Sequence, residues 1–204
     1  QVMPDTFGNV KKAPHKGSRH MTPMIKANTA EARITFTLVA TICTDQEIQK
    51  VLPQVIFVSD KHLSWANFDL LRNKMPRNVY IIRRQGKGWT NHEQHVRICK
   101  VIAATLKPYL SHYQPVLLFD ALKLHLSAEA LEKLSRGHIW YQIVPKDLTF
   151  LLQPLDTHAF RKLKRYLREA FNDTLGLSNA KYLVTMIELL LGAIDFVLLG
   201  EDWS

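Results

Sequence analysis

Pro115-Val116-Leu117-Leu118-Phe119-Asp120 opens the stretch, running to Lys164, whose reading decides the fold. Val116 to Phe119 are four consecutive apolar residues that deliver a carboxylate at their end. So short and uniform a run predicts a strand buried on both faces, at the centre of a largely parallel sheet. An acid at its C-terminal edge stands where open α/β sheets place their ligands. The next such events are Gln142-Ile143-Val144-Pro145 and Leu151-Leu152-Gln153-Pro154-Leu155-Asp156. Asp156 lies 36 positions after Asp120 and just before a basic run, Arg161 to Arg168. Two carboxylates on neighbouring elements of a basic protein point to a divalent-metal site acting on phosphates. Mg²⁺ is a hard ion usually held by one or two carboxylates together with substrate phosphates. Two such ions about 4 Å apart can clamp the attacking and leaving oxygens of an in-line displacement. The plainer alternative makes Asp120 a turn residue closing a strand and Asp156 the cap of the next helix.

Composition sets the frame around those acids. A chain of 204 residues, 47% of them hydrophobic, can bury an ordinary core and need not be more than one domain. Lysine and arginine number 27 against 18 acids, a net charge of +9, which favours a polyanionic partner such as nucleic acid. Cys43 and Cys99 both fall in apolar periodic segments and read as reduced core thiols rather than a disulfide or a metal site. The N-terminus carries no apolar leader, and Gln1 as first residue suggests a fragment. Met186 to Leu199, the longest apolar tract, is interrupted by Glu188 and Asp195 and is no membrane span. The chain therefore reads as soluble and intracellular, nuclear in a eukaryote and otherwise cytoplasmic.

In order along the chain, residues 1–30 are polar and basic, with Pro4, Pro14, Pro23, Gly8 and Gly17 marking a loop. That loop either contacts phosphates or is simply solvated. His15 and His20, without a Cys or acidic partner nearby, are poor zinc candidates. Arg33 to Ile42 is β-branched and alternating, a strand, and Leu52 to Val58 the next, joined by a turn at Asp45-Gln46 into an antiparallel hairpin. Val79 to Arg84 is a further strand, and its Arg83, Arg84 and the following Gly86-Lys87-Gly88 could hold a phosphate in a nest of backbone N–H groups. A helix starts at Trp89-Thr90-Asn91 and ends near Pro108, crossing over to the strand at Pro115. Ser127 caps a short helix from Ala128 that Gly137 stops, and Trp140 to Val144 is the last strand. Phe160 to Phe171 is amphipathic, with Lys162, Lys164, Arg165 and Arg168 on its polar side, either to position a phosphodiester or as a solvated face. Lys181 to Leu199 carries a broad apolar stripe, a core-covering helix or, if left exposed, a homodimer contact.

Asp120 followed by His125, Leu126 and Ser127 resembles the Asp-Asn-x-x-x-His-x-Ser block of DDE-superfamily transposases, and in particular the pogo-like branch of their mariner-related group. Leu151-Leu152-Gln153-Pro154-Leu155-Asp156, trailed by Phe160, Leu163 and Lys164, is similar to that branch's Leu-Leu-Gln-Pro-Leu-Asp block. Gly88-Trp89-Thr90-Asn91 with Glu93 looks like its helix start, and Thr35 to Asp45 like its second strand. The resemblance covers about residues 10 to 170. It implies an α/β, RNase H-like mixed sheet flanked by helices. Residues 1–30 would be a basic loop downstream of a missing first strand, 31–172 the catalytic core and 173–204 a C-terminal helical segment. Asp120 and Asp156 would be catalytic and hold two Mg²⁺ or Mn²⁺ ions, with no organic cofactor. The family's first acid has only Asp5 available to match it, and Met3-Pro4-Asp5-Thr6 looks more like the loop after that strand. Ala121 stands where the family has Asn. His125 would support Asp120 or touch DNA, and Lys162, Lys164, Arg165, Arg168, Arg83, Arg84 and Lys87 would bind backbone phosphates.

The implied activity is metal-dependent hydrolysis and strand transfer at DNA phosphodiesters, from an N-terminally truncated copy. An inactive transposase-derived nucleic-acid-binding domain is the alternative, favoured by Ala121 and by the weak match at the first acid. A nuclease of RNA–DNA hybrids is a third reading, sharing the fold and the metal logic. Sequence-specific binding of transposon ends would need a helix-turn-helix module, which is expected to be missing from this fragment.

Overall fold

A computed structural model describes residues 2–4, 36–85, 90–171, 179–200 and 203. Asp5, His15, His20, Lys87 and the expected strand start at 33–35 lie outside the described residues. The fold is mixed α/β. Strand β1 (Val2–Pro4) pairs antiparallel with β2 (Phe36–Val39), and β2 pairs antiparallel with β3 (Gln54–Ser59). The register Phe36↔Val58 to Val39↔Val55 is that of the expected hairpin. Its connection holds the short helix α1 (Gln46–Gln49), whose cap Asp45 accepts from the N–H groups of Glu47 and Ile48. Val2–Pro4, expected as loop, is instead a strand along the free edge of β2.

Helix α2 (Trp65–Arg72) leads from β3 to β4 (Val79–Arg84), which lies parallel to β3 and completes the order β1-β2-β3-β4. All six residues of β3 are buried, because both faces of the strand are covered. Ile56 and Val58 join one core with Leu38, Leu163, Leu167, Ile187 and Leu190. Val55 and Phe57 join a second with Ile98, Cys99, Ile102 and Leu134. Period-two alternation along one strand thus divides the interior in two.

Helix α3 (His92–Leu106) begins where expected, with Asn91 accepting from the N–H of Gln94. It delivers the chain to β5 (Val116–Asp120), but β5 does not join the first sheet. It pairs parallel with β6 (Trp140–Val144), from Val116↔Trp140 to Asp120↔Val144, in a separate two-stranded sheet. The expected burial on both faces is also corrected: Val116 is 53% exposed and Leu118 44%. Leu117 and Phe119, on the opposite face, pack into the α3 core. An apolar run is equally compatible with one or two covered faces, so composition alone could not decide between them.

Helix α4 (Ala128–Arg136) starts at its Ser127 cap and joins β5 to β6. At Gly137 a Cβ would come within 2.6 Å of the Ala103 Cβ, so glycine there lets the end of α4 close on α3. Helix α5 (Thr149–Leu152) runs through a π-helical segment, Leu155–Ala159, into α6 (Phe160–Phe171). Helix α7 (Asn179–Ala193) and a second π-helical segment, Ile194–Leu199, finish the described chain. The stripe Leu183, Met186, Ile187, Leu190, Leu191, Ile194, Val197 and Leu198 is buried, so it covers core and offers no dimer contact. Gln49, itself buried, donates from Nε2 to the Leu198 carbonyl at 2.7 Å and ties this C-terminal cover to α1.

Candidate active site

Asp120 closes β5, and the chain then folds back, with the N–H of His125 donating to the Leu122 carbonyl at 2.9 Å. That return sets the His125 ring beside the strand end. Its Nδ1 lies 2.5 Å from Oδ1 of Asp120, and the same oxygen accepts from the N–H of Leu122 at 3.3 Å. The ring nitrogen is buried and has no other partner, so the short, imperfectly directed approach to the carboxylate is what satisfies it. The His125 hydrogen bond, then its charge, and the Leu122 amide hold the Asp120 carboxyl below the usual carboxylate range, against a desolvation that works the other way. Asp120 is therefore ionised at neutral pH. The fold thus places His125 against Asp120.

The sequence reading missed what lies behind His125. His95, on α3, is 4% exposed, and its ring centroid is 4.8 Å from that of His125. Phe119 stacks on His125 at 5.2 Å and meets His95 edge-on at 5.8 Å, so three rings pack together at the end of β5. Burial, and next the nearby His125, pull the His95 imidazole down to about 4, so it is neutral at physiological pH. Burial pushes the Cys99 thiol up to about 12. The protonated thiol lies 3.6 Å from Nε2 of the neutral imidazole, which can accept from it. A His and a Cys four residues apart within the apolar stripe of α3 were the one visible signal.

Asp156 sits in the π-helical segment at the head of α6, half-buried, its N–H donating to the Gln153 carbonyl at 3.0 Å. It is not the cap of that helix, because the π-helical turn runs directly into α6. Among the described residues no three His, Cys, Asp or Glu side chains are grouped to hold a metal ion. Both contacts of Asp120 fall on Oδ1, which leaves Oδ2 as a hard oxygen donor of the kind Mg²⁺ takes.

The expected phosphate-binding cations fall into two sets. Arg165 and Arg168 are exposed on α6, with Lys162 and Lys164 half-buried beside them. The Nζ of Lys162 lies 5.5 Å from the ring centre of Trp203. Arg83 is committed within the fold: its Nε donates to the Leu63 carbonyl at 2.6 Å, and its guanidinium lies 4.1 Å over the exposed Trp65 ring. Arg84, at the end of β4, is half-buried, and its carbonyl accepts from the N–H of Asp60.

Residues 31–185 match a family described as DDE superfamily endonuclease. The chain belongs to that family. Nucleases of the DDE superfamily generally use divalent metal ions and act on DNA. The chain is also 30% identical, over 121 residues, to the MFS-type transporter clz9 of Cochliobolus lunatus. That match takes in 58% of this DDE chain and 12% of the relative, so the chain spans only a small part of that protein's length. Among the described residues no helix is long and apolar enough to cross a membrane. No solved structure matches the chain.

Proposed function

We propose that this DDE-family chain is a transposase-type endonuclease domain of the pogo-like branch, with an RNase H-like core, acting on DNA phosphodiesters by Mg²⁺-dependent hydrolysis and strand transfer, in the nucleus of a eukaryote and otherwise in the cytoplasm. The observation that carries the reading is the ionised Asp120 carboxylate, held on one oxygen by a buried histidine at the end of β5. The free Oδ2 of Asp120 and the half-exposed carboxylate of Asp156 would hold the metal. Bound there, two Mg²⁺ ions would supply Lewis acidity to the attacking and leaving oxygens of an in-line displacement. His125 keeps Asp120 oriented and charged, and Arg165, Arg168 and Lys164 would hold backbone phosphates. The test is Mg²⁺- or Mn²⁺-dependent nicking of plasmid DNA by the chain and by Asp156→Ala, with an RNA–DNA hybrid as a parallel substrate. Nicking of duplex DNA that vanishes in the variant supports the reading. Preference for the hybrid would move the substrate to RNA–DNA duplexes.

A second reading, a DNA-binding domain without catalysis, has its own support. Ala121 replaces the family's Asn, and among the described residues no three His, Cys, Asp or Glu side chains are grouped to hold a metal ion. Salt-sensitive DNA binding without any nicking would decide for it.

A further inference from the structure

We propose that His95 is a positioning residue for the Asp120 carboxylate, acting through His125: its ring, packed against the His125 ring, fixes the rotamer in which Nδ1 of His125 meets Oδ1 of Asp120. The inference rests on reading Asp120 as a metal ligand, and it adds α3 to the elements that build the site.

The geometry requires something of this kind. His125 has one polar anchor, the Asp120 oxygen, and its remaining restraint is ring packing. Phe119 belongs to the same strand as Asp120 and supports the ring from that side. The other support comes from His95, whose centroid is 4.8 Å away. Removing that side chain would leave a space beside His125, and an imidazole with room would leave its rotamer for another. Cys99, one turn along α3, stands 3.6 Å from its Nε2. The line Cys99, His95, His125, Asp120 runs from the buried face of a helix to the edge of a sheet. Partners that orient a metal ligand are commonly worth about 10- to 100-fold in metal affinity.

The experiment uses the full chain as wild type, His95→Phe, His95→Leu and Asp120→Asn. Three-bond couplings and ring cross-peaks by NMR read the χ1 rotamer of His125, and calorimetric titration with Mn²⁺ reads metal affinity. His95→Phe keeps a planar ring and is expected to hold His125 in one rotamer. His95→Leu keeps apolar volume without the planar face and is expected to let His125 average between rotamers, with Mn²⁺ affinity down about 10-fold while His95→Phe stays within about twofold of wild type. The proposal is overturned if a folded His95→Leu variant keeps His125 in its wild-type rotamer, or if His95→Phe loosens it equally. Should the wild type bind Mn²⁺ no better than Asp120→Asn, the metal reading of Asp120 fails, while the couplings still decide the role of His95. If His95→Leu does not fold, His95→Phe alone decides: wild-type couplings and affinity support a role for the ring, and a shifted rotamer overturns it.

Discussion

His95 is a neutral imidazole in a core, and neutrality has a pH signature. Its folded value of about 4 lies below the ordinary 6.5. Above pH 6.5 both folded and unfolded chains leave it neutral, and its contribution to stability is fully present. Between 6.5 and 4 the unfolded chain takes up a proton that the folded chain refuses, so stability is lost as pH falls. Discounted for partial solvent screening, the loss should be on the order of 2 kcal/mol across that window. Urea midpoints at several pH values between 7 and 4 would show the decline, and His95→Phe should flatten it. A wild-type curve as flat as the variant's would mean that His95 is protonated while folded. Asp120 acts in the same direction lower down: its depressed carboxyl adds stability above its ordinary value of 3.8, lost as pH falls through the folded value. Asp120 and His125 were legible because a spaced motif names them. His95 was not, because a histidine in an amphipathic helix looks the same whether it faces water or another ring, and only the fold brings α3 to the end of β5.

At the scale of elements, helix α6 shows how two faces divide the work. Leu163 and Leu167 are fully buried, and Leu167→Ala should cost about 2–5 kcal/mol in unfolding free energy. Arg165 and Arg168, on the opposite side, should cost little stability when changed to Ala, because exposed cations contribute little to folding. Their loss should instead lower the slope of log affinity against log salt for duplex DNA by about 1.8, at roughly 0.9 per phosphate contact. An unchanged slope would remove Arg165 and Arg168 from the DNA interface. Period and caps made this helix, α3 and α4 readable: Asn91 and Ser127 cap where their side chains predict, and Gly137 ends α4. Gly137→Ala should be destabilising although glycine is a poor helix residue, because the new methyl meets Ala103 and must push α4 off α3. A higher melting temperature for that variant would show that the two helices can part freely. The π-helical turn carrying Asp156 was not readable, since its extra residue per turn has no signature in apolar spacing.

Across the whole molecule, β3 is a wall common to two cores, and pairing rather than pattern set that arrangement. The alternation of β2 and the apolar run of β3 marked them as strands, and their adjacency in sequence favoured pairing, although the connection holds α1 rather than a tight turn. Where β5 would pair was beyond the sequence: strand partners depend on which edges meet after the helices have packed, and Val116 to Phe119 reads the same in either sheet. The shared wall has a thermodynamic consequence. Phe57 is fully buried in the core with α3, while its neighbours Ile56 and Val58 lie in the core with α6 and α7. Emptying the Phe57 site should cost about 3–5 kcal/mol. Because displacing β3 disturbs both of its faces, the cost should not stay on one side. Amide hydrogen exchange in Phe57→Ala is expected to lose protection equally in α3 and in α7, as it does when one cooperative unit opens. Loss confined to α3, with α7 as protected as in wild type, would mean that the two cores unfold separately. The site at the end of β5 could then open while the sheet beneath α6 and α7 stayed closed.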